Sequence, residues 1–416
     1  MKKIFITICI VFNLTLLIAP IDAIDMYSEN YVLYNLDTKT VVLENNKDAN
    51  TSIASLTKIM TAIVAIESID DINAEVTITY DMLKGLQAEG AAVVGYYSGN
   101  KVTYKELLYG TLLNSGADAT RALAISLYGS EASFVNKMNE KAKEIGLETT
   151  VFTNSSGLDT KGQTSTVDEM ARLLMYCLDN ALFKEIFGAS SYTSNSGRVY
   201  RDTFDYGARQ INLNLDYVKG AKTGYTDDAG RCLASIAYDE INGINYLLVT
   251  TKAPVNSRAN YHIRDAKAMY DYVFANYKNH VIFNELDTLL ELEARYSELG
   301  VLPYVATVGQ TYFHGNTFDS ANIKYVYDGL DVVTYKNEVD EKIGTLEVYY
   351  EDELLTTIDI TIQQEIDFSF IEFVKYHAEY FFFGGTILLL LVLICIILLL
   401  KRRIKKRAIS SLATKY

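Results

Sequence analysis

Three short stretches of this sequence hold residue types that do chemistry together. The first is Ser55-Leu56-Thr57-Lys58. On a helix, side chains three residues apart share one face. A serine hydroxyl is a weak nucleophile until a base takes its proton, and a lysine amine is such a base when neutral. Ser55 opens an apolar run, so it would stand in the positive field of a helix N-terminus with Lys58 one turn on. The same spacing recurs at Ser98 and Lys101. That pair falls in a turn beside Gly99 and Asn100, where the two side chains need not meet, and it reads as solvated loop.

The second stretch is Ser115-Gly116-Ala117, on a break between two helical patterns. A hydroxyl there can point into a cleft and pass a proton between a lysine and a substrate. The third is Lys222-Thr223-Gly224, the chain's single Lys-Thr-Gly. Lys222 and Thr223 would offer a charge and a hydroxyl to a carboxylate, and Gly224 would let a substrate backbone lie close to the strand. Taken singly, each stretch has an ordinary reading: a core helix, an N-cap serine, an edge-strand lysine. Their joint occurrence carries the chemistry.

The elements that must position them follow from periodicity. Two apolar runs over 31–44 flank Asp37-Thr38-Lys39 and predict a hairpin. Residues 54–68 predict a helix apolar on most sides, with Ile59, Ile63 and Ile66 on one flank and Met60 and Val64 on another. Such a helix belongs inside a core. Short strands and turns follow over 75–104, then helices over 104–113, 117–127 and 132–145. A polar loop runs over 149–166. Thr166-Val-Asp-Glu169 has the form of a capping box opening a helix to Leu178. Strands are expected over 218–224, 231–238 and 245–251, and a closing helix over 265–276. The pattern is α+β: an antiparallel sheet covered by helices over 24–279, then a small all-β region over 281–366.

The ends belong to neither part. Residues 1–23 carry Lys2 and Lys3, an apolar run and Ile21-Asp22-Ala23, the form of a secretory signal. An aromatic connector spans 367–379. Residues 380–400 are uncharged and long enough to cross a bilayer as a helix. The basic tail 401–416 follows and predicts a cytoplasmic end, with the bulk of the chain on the outer face. The chain has 38 Lys or Arg against 52 Asp or Glu, a net charge of −14. With the basic residues concentrated in the tail, the rest is more acidic still, which argues against nucleic acid as a partner. Cys177 and Cys232 lie on apolar elements; two buried thiols or one disulfide are both open. The four histidines are scattered and make no metal pattern, so no cofactor or metal is expected.

The motif order Ser55-x-x-Lys58, Ser115, Lys222-Thr-Gly resembles that of penicillin-binding proteins and serine β-lactamases. The surrounding stretches, 54–62, 106–119, Ser156-Gly-Leu-Asp159 and 220–230, are similar to the low-molecular-mass D-alanyl-D-alanine carboxypeptidases, peptidase family S11. The likeness covers roughly 31–277 and, more weakly, the β-rich region. It implies a β-lactamase/transpeptidase-like domain that trims the terminal D-alanine from peptidoglycan stem pentapeptides and is acylated by β-lactams. It implies Ser55 as nucleophile, Lys58 as base and Ser115 as relay. Lys222 and Thr223 would hold the substrate's terminal carboxylate, and the backbone N–H groups of Ser55 and Tyr225 would form the oxyanion hole. The group that activates the later water is left open.

Two departures stand out. The family's second motif ends in asparagine where this chain has Ala117. The arginine that the family often has before the closing helix falls in register at His262, with Arg258 and Arg264 nearby. Two other readings remain: a weakly catalytic penicillin-binding or wall-scaffolding protein, which Ala117 motivates, and a β-lactamase, which would need a water-activating carboxylate such as Glu148 or Glu169.

Overall fold

A computed structural model of the chain describes residues 24–255, 259–307 and 309–413, with side chains as far as Ile404. The signal-like segment 1–23, Arg258 and the side chains of the tail beyond Ile404 lie outside the described residues. The chain divides after Tyr277 into two units.

In the first unit, β1 (Asn30–Asn35) and β2 (Thr40–Asn45) form the expected hairpin. A 3₁₀ turn at Ala54–Leu56 leads into α1 (Thr57–Ser68). Next come α2 (Tyr104–Leu112), α3 (Ala117–Tyr128), α4 (Glu131–Ile145) and α5 (Val167–Leu178). Then α6 (Thr203–Gln210) precedes β3 (Val218–Thr226), β4 (Gly230–Asp239), β5 (Ile244–Ala253) and α7 (Tyr261–Asn276). The five strands make one antiparallel sheet in the order β2-β1-β5-β4-β3.

Side chains alternate across a strand, and here each face of the sheet has its own helical cover. Val32, Tyr34, Ala234, Leu247 and Val249 pack with α1 to α5. Leu33, Leu233, Tyr246 and Leu248 pack with Phe204 of α6 and Ile263, Met269 and Tyr270 of α7. A one-residue slip of any strand would exchange these two sets, so register is fixed by both cores. The first cover is centred on α1, buried from Thr57 through Ala65 as its all-round apolar pattern requires. Polar groups on it need partners: Thr61 Oγ1 donates to the Ser155 carbonyl at 2.7 Å, and Lys58 turns toward the cleft.

Two expectations are corrected, and the choice left open for the cysteines is decided. The closing helix begins at Tyr261, not at 265, which puts His262 in its first turn. Thr166 caps α5 by accepting from Glu169 N at 3.0 Å, but the Glu169 carboxylate takes the Thr149 amide and the Thr150 hydroxyl, so the box is only half made. Cys177 and Cys232 are both free and buried, which removes the disulfide alternative.

The second unit begins with the strand Lys278–Phe283, and its short, mostly antiparallel sheets close on Leu292, Leu346, Val348, Ile358 and Ile360. Its last element is a helix from Ala378 to Ala413. Residues 378–404 of it are apolar and long enough to cross a membrane. At 1.5 Å per residue this span is about 40 Å, more than the ~30 Å hydrocarbon core.

Candidate active site

The site starts from a strained turn. Ala54, just before the nucleophile candidate, has φ +45°, in the left-handed region that non-glycine residues seldom adopt. Ser55 is half-buried while Ala54, Leu56, Thr57 and Lys58 are buried. Lys58 Nζ lies 2.9 Å from Ser55 Oγ and also donates to the Ser156 carbonyl. Burial first, then the like charge of Lys222, holds the Lys58 amine well below the usual lysine range. As a free amine, Lys58 can accept the Ser55 proton.

The turn is braced by the loop after α4. Gly157 has φ +81°, and a Cβ there would stand 1.9 Å from the Ala54 carbonyl oxygen. Only glycine fits that contact. Strand β3 approaches from the other side. A Cβ at Gly224 would be 3.1 Å from the Ser55 amide nitrogen.

A second lysine–serine pair faces the first. Lys222 on β3 has no exposed surface; its Nζ donates to Ser115 Oγ at 3.0 Å and to the Thr223 carbonyl at 2.7 Å. Ser115 holds φ +59° at the break before α3. Burial brings the Lys222 ammonium down to about 8, with Asp202 opposing. Asp202 caps α6, accepting from Asp205 N at 2.8 Å, and its Oδ1 is buried with no partner. Burial pushes the Asp202 carboxyl up to about 7, with Lys222 pulling the other way. Asp118, one residue beyond Ala117, accepts from the amides of Val94, Gly95 and Tyr96 at 2.8, 2.9 and 3.1 Å. This bonding fixes the loop over the Ser115 break.

Both pairs open on one cleft of about 370 Å³. Ser55, Lys58, Ser115, Thr223, Gly224, Tyr225 and His262 line it together with Ala117. Lys222 lies beneath this surface. Thr223 Oγ1 is 2.7 Å from Thr203 Oγ1, a partner from α6 that motif reading does not supply. The half-exposed Tyr225 donates its hydroxyl to Asp227 at 2.5 Å. His262 is buried; burial, then Arg231, lowers its pKa to about 3, so the ring is neutral. Arg264 instead points its Nε at the Ala259 carbonyl, at 2.9 Å. Sequence reasoning missed Arg231, Asp202 and Thr203. Gly157 lay within the quoted Ser156-Gly-Leu-Asp159, and its place in a polar loop was the available signal. Ser98 and Lys101 stay outside the cleft; Lys101 pairs with Glu75 at 3.6 Å across a small hairpin.

A serine with a lysine base at the start of a buried helix, beside a five-stranded antiparallel sheet, has the geometry of a serine hydrolase. The family model for D-alanyl-D-alanine carboxypeptidases, peptidase family S11, matches residues 18–254, more than half of the chain. The chain is 26% identical over 357 residues to D-alanyl-D-alanine carboxypeptidase DacF of Bacillus subtilis, covering 84% of this chain and 88% of that protein. It is 32% identical over 225 residues to DacC of Escherichia coli, covering 52% and 55%. Among solved structures, penicillin-binding protein 5 from Haemophilus influenzae shares the fold, with TM-score 0.63 and 22% identity over 82% of this chain and 98% of that one. The Streptomyces K15 DD-transpeptidase matches at TM-score 0.54 and 26% identity, covering 60% and 98%. The chain belongs to peptidase family S11, the D-alanyl-D-alanine carboxypeptidases.

Proposed function

We propose that the chain removes the terminal D-alanine from peptidoglycan stem pentapeptides through an acyl-enzyme on Ser55, and that β-lactams acylate the same serine. The observation that carries this reading is the 2.9 Å approach of the Lys58 amine to Ser55 Oγ, with burial and then the charge of Lys222 lowering that amine's pKa. Lys58 takes the hydroxyl proton as Ser55 Oγ attacks the carbonyl carbon between the two D-alanines. The oxyanion is met by the backbone N–H groups of Ser55 and Tyr225. The C–N bond then breaks, the proton passes to the leaving amine, and D-alanine departs. Water cleaves the remaining ester and restores Ser55. Ser115, 3.0 Å from the Lys222 amine, serves as relay, and the charge of Lys222 helps lower the pKa of Lys58.

The catalytic domain of this reading spans 24–279, followed by a small β-rich domain over 281–366 and a connector over 367–379. The helix over 380–400 anchors the protein in the lipid bilayer. The catalytic domain then lies on the outer face and the basic tail 401–416 lies in the cytoplasm. The β-lactamase alternative loses its support, since Glu169 is buried against Thr149 and Thr150 and Glu148 is exposed away from the cleft lining. The test is release of D-alanine from a diacylated peptide ending in D-Ala-D-Ala. The natural protein releases it and a Ser55→Ala variant does not. A natural protein that releases none sinks the reading.

A further inference from the structure

The proposed reaction starts with a peptide whose free carboxylate must be held in a partly buried cleft, so a cation has to face it. Lys58 cannot serve, because the reaction needs it as a free amine. Lys222 is turned to Ser115 and the Thr223 carbonyl and has no exposed surface. His262, which stands where the family resemblance expects an arginine, is neutral. One full charge among the described residues lining the cleft remains: Arg231.

Arg231 has the marks of a group built for a ligand. Its Nε is buried without a hydrogen-bond partner among the described residues. A buried, unpartnered guanidinium N–H is destabilising unless something fills the gap. The side chain is held by its neighbours on the sheet. Arg231 of β4 lies opposite Tyr225 of β3, and its Cζ sits 5.8 Å from the centroid of that ring. Directly opposed residues, and residues two apart on a strand, share a face of the sheet. Arg231, Tyr225 and Thr223 therefore share one face of the sheet, and all three line the cleft that Ser55 lines.

We propose that Arg231 binds the terminal carboxylate of the substrate, with the Thr223 hydroxyl, and so takes the part that the family resemblance would give to an arginine at position 262. In this chain the anchoring charge has moved from the closing helix to the neighbouring strand. The inference rests on the carboxypeptidase reading and names the group of the substrate that Arg231 meets.

The test uses two diacylated peptides ending in D-Ala-D-Ala, one with a free carboxylate and one with a C-terminal carboxamide. The full-length protein is compared with Arg231→Gln and with Arg231→Gln combined with His262→Arg. The natural protein prefers the acid. Arg231→Gln erodes the acid-over-amide ratio of kcat/KM by about 10- to 100-fold, mainly through the acid peptide, and the double variant regains part of it. Labelling of Ser55 by an uncharged fluorophosphonate reports whether each variant still forms its nucleophile. A labelled Arg231→Gln protein that keeps the full preference overturns the role of Arg231 alone. Variants that lose labelling and both peptide activities together make Arg231 structural, which also overturns it. If the natural protein cleaves neither peptide, the carboxypeptidase reading itself fails.

Discussion

The two units of this chain are built on different terms. Among the described residues of the second unit the buried Ser, Thr, Asn, Gln, His and charged side chains are Ser297 and Ser369, against a core rich in Leu, Ile and Val. The first unit buries Lys58, Lys222, Asp118, Asp202, Glu169, Asp265 and His262 among its apolar residues. Left-handed non-glycine residues occur in both. In the second unit, Leu286, Asp340 and Glu351 stand at exposed turns, as Lys39, Asn46 and Asn212 do in the first; in the first unit alone, Ala54, Ser115 and Asn260 stand at the cleft or beside its serine. Buried charge and strained backbone are destabilising, and they persist where surrounding structure over-determines them. The comparison teaches that the first unit sets stability against a prearranged site, while the second is ordinary folding.

That contrast is open to direct attack. The largest effect is expected from Gly157→Ala, because the new Cβ would collide with the Ala54 carbonyl and the backbone holds φ +81°. We expect a loss of about 3 kcal/mol, read as a lower unfolding midpoint of the first unit, together with loss of β-lactam labelling. Unchanged labelling would mean the turn does not depend on its brace.

Val348→Ala, in the core of the second unit, is expected to remove about 2 kcal/mol from that unit. Acylation of Ser55 should stay within about twofold, since the site draws nothing from that core. Parallel loss of acylation would break the division of labour.

The smallest effect concerns pH. The charge on Lys222 helps to hold down the pKa of Lys58. Removing it in Lys222→Gln lets that pKa rise, so at a given pH less Lys58 is neutral. The acid limb of the acylation profile then moves to higher pH. An acid limb that stays in place would separate the two lysines.

Much of the site was legible because its chemistry is local in the chain. Ser55 and Lys58 sit one turn apart, and Lys222-Thr223-Gly224 is contiguous. The all-round apolar pattern of residues 54–68 placed that pair inside the core, and the late strands announced an antiparallel sheet. Arg231 was not legible, because its importance comes from pairing opposite Tyr225 and from an unpartnered Nε, neither of which leaves a mark in sequence. Asp202 and Thr203 belong to a stretch without marked periodicity and reach the site through α6. The start of α7 was missed because Asn260 enters it with φ +44° and gives its side chain to the Gly207 carbonyl instead of capping the helix.

The central claim is that Ser55 is the nucleophile that Lys58 activates. Mass spectrometry of the full-length protein after brief exposure to benzylpenicillin tests it most directly. The account predicts one penicilloyl adduct, located by digestion on the peptide that carries Ser55 and absent from Ser55→Ala. An unmodified natural protein, or an adduct that survives in Ser55→Ala, would contradict it.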